Sequence, residues 1–237
     1  MSSSSSVVAR AQTDRGEIVL RHRPVDGALE LRVNGVFVMD DHETTTERLL
    51  ARMALLGLAA GTSDGPWRVL IGGLGLGYTL AALLDRDEVG SVLVAEIEPD
   101  LVGWHRSGLI PGSRIADTRV DVRVADVRQV VPGLEPGSVD LILLDVDNGP
   151  GFLVYDDNAD VYRAPFLIAC RNALTPSGRV AVWSADTAPA LTHALDTVFA
   201  SSEEHAVPVT LGTRDTTYHI SIAPRSPLNR ELRFVEP

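Results

Sequence analysis

The run Arg68-Val69-Leu70-Ile71-Gly72-Gly73-Leu74-Gly75-Leu76-Gly77 packs four glycines into six positions, and carboxylates follow it at Glu96, Asp126 and Asp145. Backbone that must pass close to a ligand cannot carry side chains, so glycine occupies such a turn. Glu96 lies about 20 residues after Gly77, the distance at which nucleoside- and dinucleotide-binding folds place a carboxylate on ribose hydroxyls. Its two oxygens can accept from two hydroxyls at once. A carboxylate at Asp126 can accept the exocyclic amine of an adenine. Asp145, in Leu143-Leu144-Asp145-Val146-Asp147-Asn148-Gly149-Pro150, can orient an amine nucleophile or take its proton. Asp147 is placed to hold a positive group. Tyr155 and Tyr162, flanking an acidic stretch, are candidates for one wall of a substrate site.

Each of these residues also has a plainer use. Asp126 can cap the helix that follows it. Asp145 or Asp147 can serve the turn into Gly149-Pro150. The stretch from Tyr155 to Tyr162 reads equally as an exposed loop. His219 falls inside an apolar strand and reads as a core or edge histidine, Trp104 and Trp183 as packing residues, and Cys170 as a buried inert thiol. The Asp-x-Asp pair has no third ligand at a supportive spacing, so no metal is expected.

The elements that must position these residues follow from hydrophobic rhythm. Apolar runs at Val69–Ile71, Val92–Ala95, Val120–Val124, Leu141–Leu144 and Val180–Trp183 do not alternate with polar residues, and helical segments separate them. That pattern predicts an α/β fold with a doubly wound, mostly parallel sheet covered on both faces. Ligands then bind beyond the carboxyl ends of the strands, where the glycine turn, Glu96, Asp126 and Asp145 all fall. Two further strands are expected near Ala206–Thr210 and Tyr218–Ala223. Ahead of the sheet, Glu17–His22 and Leu29–Met39 read as a small antiparallel unit with Asn34-Gly35 as its tight turn. Thr44 and Glu47 have capping-box spacing, which predicts a helix running to about Gly61. The expected divisions are a disordered tail over 1–13, the hairpin unit and linking helix over 14–62, the nucleoside-binding domain over 63–225, and a tail over 226–237.

Composition narrows the function. With 237 residues and 45% hydrophobic content the chain can build one large α/β domain. The net charge of −11 disfavours nucleic acid and anionic membrane as partners. No apolar run approaches the roughly 20 residues that span a bilayer. The serine tract Ser2–Ser6 lacks the basic and apolar regions of a secretion signal, and one cysteine cannot form an internal disulfide, so the cytoplasm is the expected compartment. The chain contains no lysine, which excludes Schiff-base chemistry and a Walker-type phosphate site.

Taken with the hairpin Leu29–Met39 and the His42–Glu47 helix lead-in, these motifs resemble the spermidine synthase-like branch of the class I methyltransferase fold over about residues 17–223. The resemblance implies a seven-stranded sheet with its last strand antiparallel, and a homodimer paired through the small N-terminal unit. It implies S-adenosylmethionine or its decarboxylated form as cofactor, and a small acceptor, an amine by the family's chemistry. In it, Glu96 binds ribose, Asp126 binds adenine and Asp145 orients the attacking amine. Three positions depart from the family's pattern. Gly75 stands where aminopropyltransferases usually carry an aspartate, which favours the decarboxylated donor. Thr45-Thr46-Glu47 replaces Tyr-His-Glu, and no polyamine-facing glutamine is evident around Val36–Met39. The expected activity is transfer of an alkyl group, with methyl favoured over aminopropyl. Rival readings are a nucleoside-binding regulatory protein without turnover, and a nicotinamide oxidoreductase.

Overall fold

The computed structural model describes residues 6–58, 65–146, 148–151, 153, 156–211 and 214–226. The first four strands, β1 (Ser6–Thr13), β2 (Gly16–His22), β3 (Leu29–Val33) and β4 (Val36–Asp40), form an antiparallel sheet in chain order. The expected turn joins β3 to β4, with Asn34 and Gly35 at φ 51° and 75°. Helix α1 (Thr45–Leu56) leads to the second sheet. Its elements are β5 (Trp67–Gly72), α2 (Tyr78–Leu84), β6 (Val89–Glu96), α3 (Pro99–Arg106), β7 (Val120–Val124), α4 (Val127–Val130), β8 (Val139–Leu144), α5 (Ala164–Ala173), β9 (Leu174–Ser184), α6 (Pro189–Phe199), β10 (Glu203–Leu211) and β11 (Arg214–Pro224).

The seven strands lie in the order β10-β11-β9-β8-β5-β6-β7. Strands β9, β8, β5, β6 and β7 are parallel neighbours, and β11, the last in the chain, runs antiparallel to both of its neighbours. Unbroken apolar strands are needed here because both faces are covered. Val69, Ile71, Leu141, Leu143, Ala181 and Trp183 pack on one face, with α1 and α2. Leu70, Ile142, Leu144, Val180 and Val182 pack on the other, with α4, α5 and α6. A third cluster joins Ile18, Leu20, Leu29 and Leu31 to Leu76, Leu101 and Trp104, so the small sheet is docked over the glycine turn. Arg15 pins it there: its Nε donates to Glu98 Oε1 at 2.9 Å and its Nη2 to the Ile97 carbonyl at 2.7 Å.

Several boundaries differ from expectation. Residues 6–13, assigned to a disordered tail, form β1. The alternation of Val8 and Arg10 is weak alone, but the free edge of β2 supplies the backbone partners. Helix α1 ends at Leu56, with Gly57 as its C-cap, before the predicted stop; Gly61 lies outside the described residues. The capping box does not form, because Glu47 turns inward and Glu43 Oε1 accepts from the Thr45 N–H at 2.8 Å instead. Strand β9 begins at Leu174, earlier than Val180, and bulges over Thr175–Gly178. That bulge serves Asp140, buried within β8, whose carboxylate accepts from Thr175 Oγ1 and from the Arg68 backbone and Nε.

Asp140 therefore sets how β5 and β8 align at the sheet's lower end. Hydrogen bonds to a charged group are worth about 1.5–3 kcal/mol, and Arg68 is partly exposed. Replacing Arg68 with Met is expected to lower unfolding free energy by about 2 kcal/mol in urea titration; an unchanged midpoint would show that the backbone N–H and Thr175 alone satisfy Asp140.

Candidate functional site

The carboxyl ends of β5, β6, β7 and β8 open into one cleft, roofed by Ile18, Leu31, Val33, Val38 and Met39 of the small sheet. Gly73 and Gly75 line it. At Gly73 (φ 89°) a Cβ would sit 2.2 Å from the Asp145 carbonyl oxygen, so the turn presses directly on the chain leaving β8. At Gly75 (φ 50°) a Cβ would sit 2.5 Å from Met39 Sδ, which also accepts from the Leu76 N–H at 3.2 Å. The aspartate usual in aminopropyltransferases therefore has no room while Met39 holds this place. Gly72 ends β5 and Gly77 N-caps α2, both behind the cleft wall.

Glu96, the last residue of β6, is 5% exposed. Its Oε2 accepts from the Leu74 N–H and its Oε1 from the Glu98 N–H, each at 2.8 Å. Burial pushes its pKa up, while these two amides favour the charged form. Asp126 follows β7 and caps α4 through Arg128 N–H at 2.8 Å, so its structural use is real. The Arg128 guanidinium also grips it, with Nη2 2.6 Å from Oδ2. Burial would raise the Asp126 pKa, but the Arg128 contacts overcome this and hold it below the ordinary carboxylate value. Arg128 Nη1 in turn donates to the Asp157 carbonyl at 2.7 Å, joining this wall to the segment after β8.

Asp145 stands at the other end of the cleft. Its backbone N–H donates to the Gly72 carbonyl at 2.9 Å, and Thr79 Oγ1 of α2 donates to its Oδ2 at 2.6 Å. Burial pushes its pKa up to about 6, against the pull of the Thr79 hydroxyl. Two residues at this end were not singled out as site residues by sequence. Glu47 of α1 lines the cleft here; burial first, and then Asp145, push its pKa up to about 8. Trp183 also lines it, while stacking edge-on against Tyr218 with ring centres 4.9 Å apart; it therefore packs and borders the cleft together. Glu47 could have been found only by noticing a capping-box glutamate whose helix already had Glu43 as a cap.

Other sequence candidates fall elsewhere. Tyr162 is buried, and its hydroxyl donates to the Val146 carbonyl at 2.5 Å, so it braces the backbone beside Asp145 instead of forming the substrate wall. Asn158 lines the cleft in its place. Asp147 and Tyr155 lie outside the described residues. His219 is buried in β11 beside Glu204, away from the cleft. Cys170 is fully buried in the core, which pushes its thiol pKa up. Another residue without a sequence signal is His105 of α3. Its Nε2 donates to the Gly75 carbonyl at 2.8 Å and its Nδ1 accepts from Ser113 Oγ at 2.7 Å, bracing the glycine turn from behind. Burial lowers its pKa, which keeps the ring neutral. Among the described residues no group of three or more His, Cys, Asp or Glu is placed to hold a metal ion, and no helix is long and apolar enough to cross a membrane.

Comparison with known proteins points in one direction. No protein-family model matches the chain. It is 27% identical over 160 residues to putrescine N-methyltransferase 3 of Nicotiana tabacum, covering 66% of this chain and 37% of that protein. The match to putrescine N-methyltransferase 1 of Nicotiana attenuata has the same identity and covers 66% and 36%. The chain thus spans well under half the length of these curated relatives. Among solved structures, spermidine synthase from Thermotoga maritima superposes with a TM-score of 0.77 at 20% identity, over 93% of this chain and 73% of that one. A spermidine synthase in complex with the transition-state analogue AdoDATO gives 0.78 at 20% identity, over 93% and 74%. A probable spermidine synthase from Corynebacterium glutamicum gives 0.67, also at 20%, over 92% and 80%. The chain therefore has the spermidine synthase-like form of the class I methyltransferase fold, with a seven-stranded sheet preceded by a small antiparallel one.

Proposed function

We propose that this cleft binds S-adenosylmethionine and transfers its methyl group to a small amine. The observation that carries the reading is the division of labour among the carboxylates. Glu96 and Asp126 are held by hydrogen-bond donors at one end, whereas Asp145 and Glu47 lie at the other without an ion-pair partner among the described residues. A buried acid without a cation is costly, and a positively charged ligand supplies what is missing. Fit to the cofactor is favourable: Gly73 and Gly75 leave backbone bare where a side chain would collide, and the Glu96 carboxylate borders the same cleft. An adenine amine at Asp126 would share that carboxylate with Arg128.

When bound, the cofactor supplies a methyl group on a positively charged sulfur, already electrophilic. The protein must then chiefly hold the amine in line and remove one proton. Asp145, with its pKa near 6, is a stronger base than an ordinary aspartate and remains charged at neutral pH. Thr79 fixes the Oδ2 that would otherwise rotate. The ammonium form of the acceptor gives a proton to Asp145, and its nitrogen lone pair becomes available for the new nitrogen–carbon bond. The apolar roof from Ile18 to Met39 excludes water and suits an aliphatic acceptor. The names of the sequence relatives, putrescine N-methyltransferases, support an amine acceptor and methyl transfer.

The choice of methyl over aminopropyl rests on Gly75. An aspartate there would repel the carboxylate of intact S-adenosylmethionine, and Met39 fills its space. Titration calorimetry is expected to show tighter binding of S-adenosylmethionine than of its decarboxylated form; the reverse order would assign aminopropyl transfer.

Changing Asp145 to Asn should lower kcat by about 100-fold or more, the range of a lost general base, with S-adenosylmethionine affinity nearly unchanged. Mass spectrometry of the alkylated amine reads the first quantity, calorimetry the second. Full activity in the variant would leave only a binding role for this residue.

A further inference from the structure

Glu47 breaks a local rule. It occupies the third position of α1, three residues after Thr44, where a glutamate usually reaches back to cap the helix. Here Thr44 makes no side-chain cap, and Glu43 Oε1 takes the Thr45 N–H. Glu47 is instead 7% exposed and turned into the cleft, where Thr46 Oγ1 donates to its Oε2 at 3.0 Å. Forgoing a solvated cap for burial beside another acid lowers stability unless the site uses the group, and such local conflicts concentrate at functional positions.

The surroundings of Glu47 say what it meets. Asp145 comes from the end of β8, Glu43 from the segment before α1, Tyr78 and Thr79 from α2, Trp183 from β9 and Tyr218 from β11. Thr79 ties the end of β8 to the backbone of α1, with its Oγ1 2.6 Å from Asp145 Oδ2 and 3.4 Å from the main-chain carbonyl oxygen of Glu47. The cations near this cluster are Arg48, stacked on the Tyr78 ring at 5.2 Å, and Arg214, which acts on Tyr218; from the acidic side Asp40 acts on both phenols and Asp41 on Tyr78. Burial raises the pKa of Tyr78 to about 12 and also raises that of Tyr218, so both phenols stay neutral below pH 9. The carboxyls of Glu47 and Asp145 both change charge between pH 5 and 9.

We propose that Glu47 is the acid–base partner of Asp145, the two sharing one proton so that the pair meets an incoming ammonium with a single negative charge. The inference rests on the transfer reading above and adds a residue to it. The ammonium gives its proton to the Asp145 carboxylate, and the freed nitrogen lone pair attacks the methyl carbon as the carbon–sulfur bond breaks and sulfur keeps the electron pair. The proton leaves through the pair to solvent. Interacting acids of this kind titrate as a unit, in two steps.

The sign for stability follows from both pKa values being raised. Protonated in the fold, the pair contributes stability at low pH, and this is lost as pH rises through about 6 and then about 8. The test is Glu47→Gln, which keeps the shape and removes one ionisation. In the ligand-free protein, the wild-type melting temperature should fall between pH 5 and pH 9, and the variant should fall markedly less. With S-adenosylmethionine and 1,4-diaminobutane, wild-type kcat/KM should rise as the pair loses its first proton and fall about tenfold by pH 9 as it loses the second, whereas the variant should rise once and stay level. Cofactor affinity should stay within about twofold. A Glu47 of ordinary pKa would shift melting equally between pH 5 and pH 9, and a merely structural one would leave the shape of the kcat/KM profile unchanged. Identical pH dependence of melting in the two proteins overturns the inference whether or not the wild type turns over. No alkylated amine from the wild type, with the melting difference intact, overturns instead the transfer reading.

Discussion

The close approach of Gly73 to the backbone of Asp145 organises this molecule. The Gly73 N–H donates to the Ala95 carbonyl, and the Asp145 N–H donates to the Gly72 carbonyl, both at 2.9 Å. One bend thus ties the ends of three adjacent strands, β6, β5 and β8. Glu96 and Asp145 are each the residue at or just past such an end, so the same contacts that terminate the sheet aim both acids into one cleft. A methyl group at Gly73 would collide with backbone, which cannot move aside as a flexible side chain could. The bare turn is therefore required by strand packing, and it leaves open the cleft proposed to hold the cofactor.

The acids around that bend live in opposite electrostatic conditions. Glu96 is buried but receives two amide donors, and Asp126 is partly buried but gripped by Arg128. These satisfied groups lie at the end of the cleft proposed to hold the cofactor. Asp145 receives the Thr79 hydroxyl, and Glu47 receives the Thr46 hydroxyl and its own backbone N–H; burial outweighs these donors and raises both pKa values. One cleft therefore holds a carboxylate that stays charged beside acids poised to exchange protons near neutrality. In the proposed reading, separation of environments, more than identity of residues, divides binding from chemistry.

The small N-terminal sheet completes the arrangement. It contributes the apolar roof, and Met39 settles the shape of the glycine turn by standing where a longer residue at position 75 would go. Arg15 secures the sheet to Ile97 and Glu98, next to Glu96. His105 and Ser113 support the turn from the opposite side. Tyr162 does the same for the chain after Asp145. None of these braces need touch a ligand to decide where the acids point.

Much of this was legible in the sequence because it is written in local pattern. Uninterrupted apolar strands between helical segments demand a parallel sheet with two covered faces, and a strand-end acid must then lie at the ligand edge. Asn34-Gly35 could adopt its paired positive φ angles in few other contexts. What the sequence could not show depends on partners distant in the chain. Strand β1 exists because β2 offers an open edge, and Tyr162 is a brace because the chain after β8 turns over it. The conversion of Glu47 from helix cap to cleft acid needed α1, α2, β8 and β9 to converge. Residue types and spacing by themselves determined the sheet, its ligand edge and the acids there. Only the tertiary structure decided which acids are neutralised and which are left to seek a proton or a cation, because that depends on burial and on donors brought from other elements.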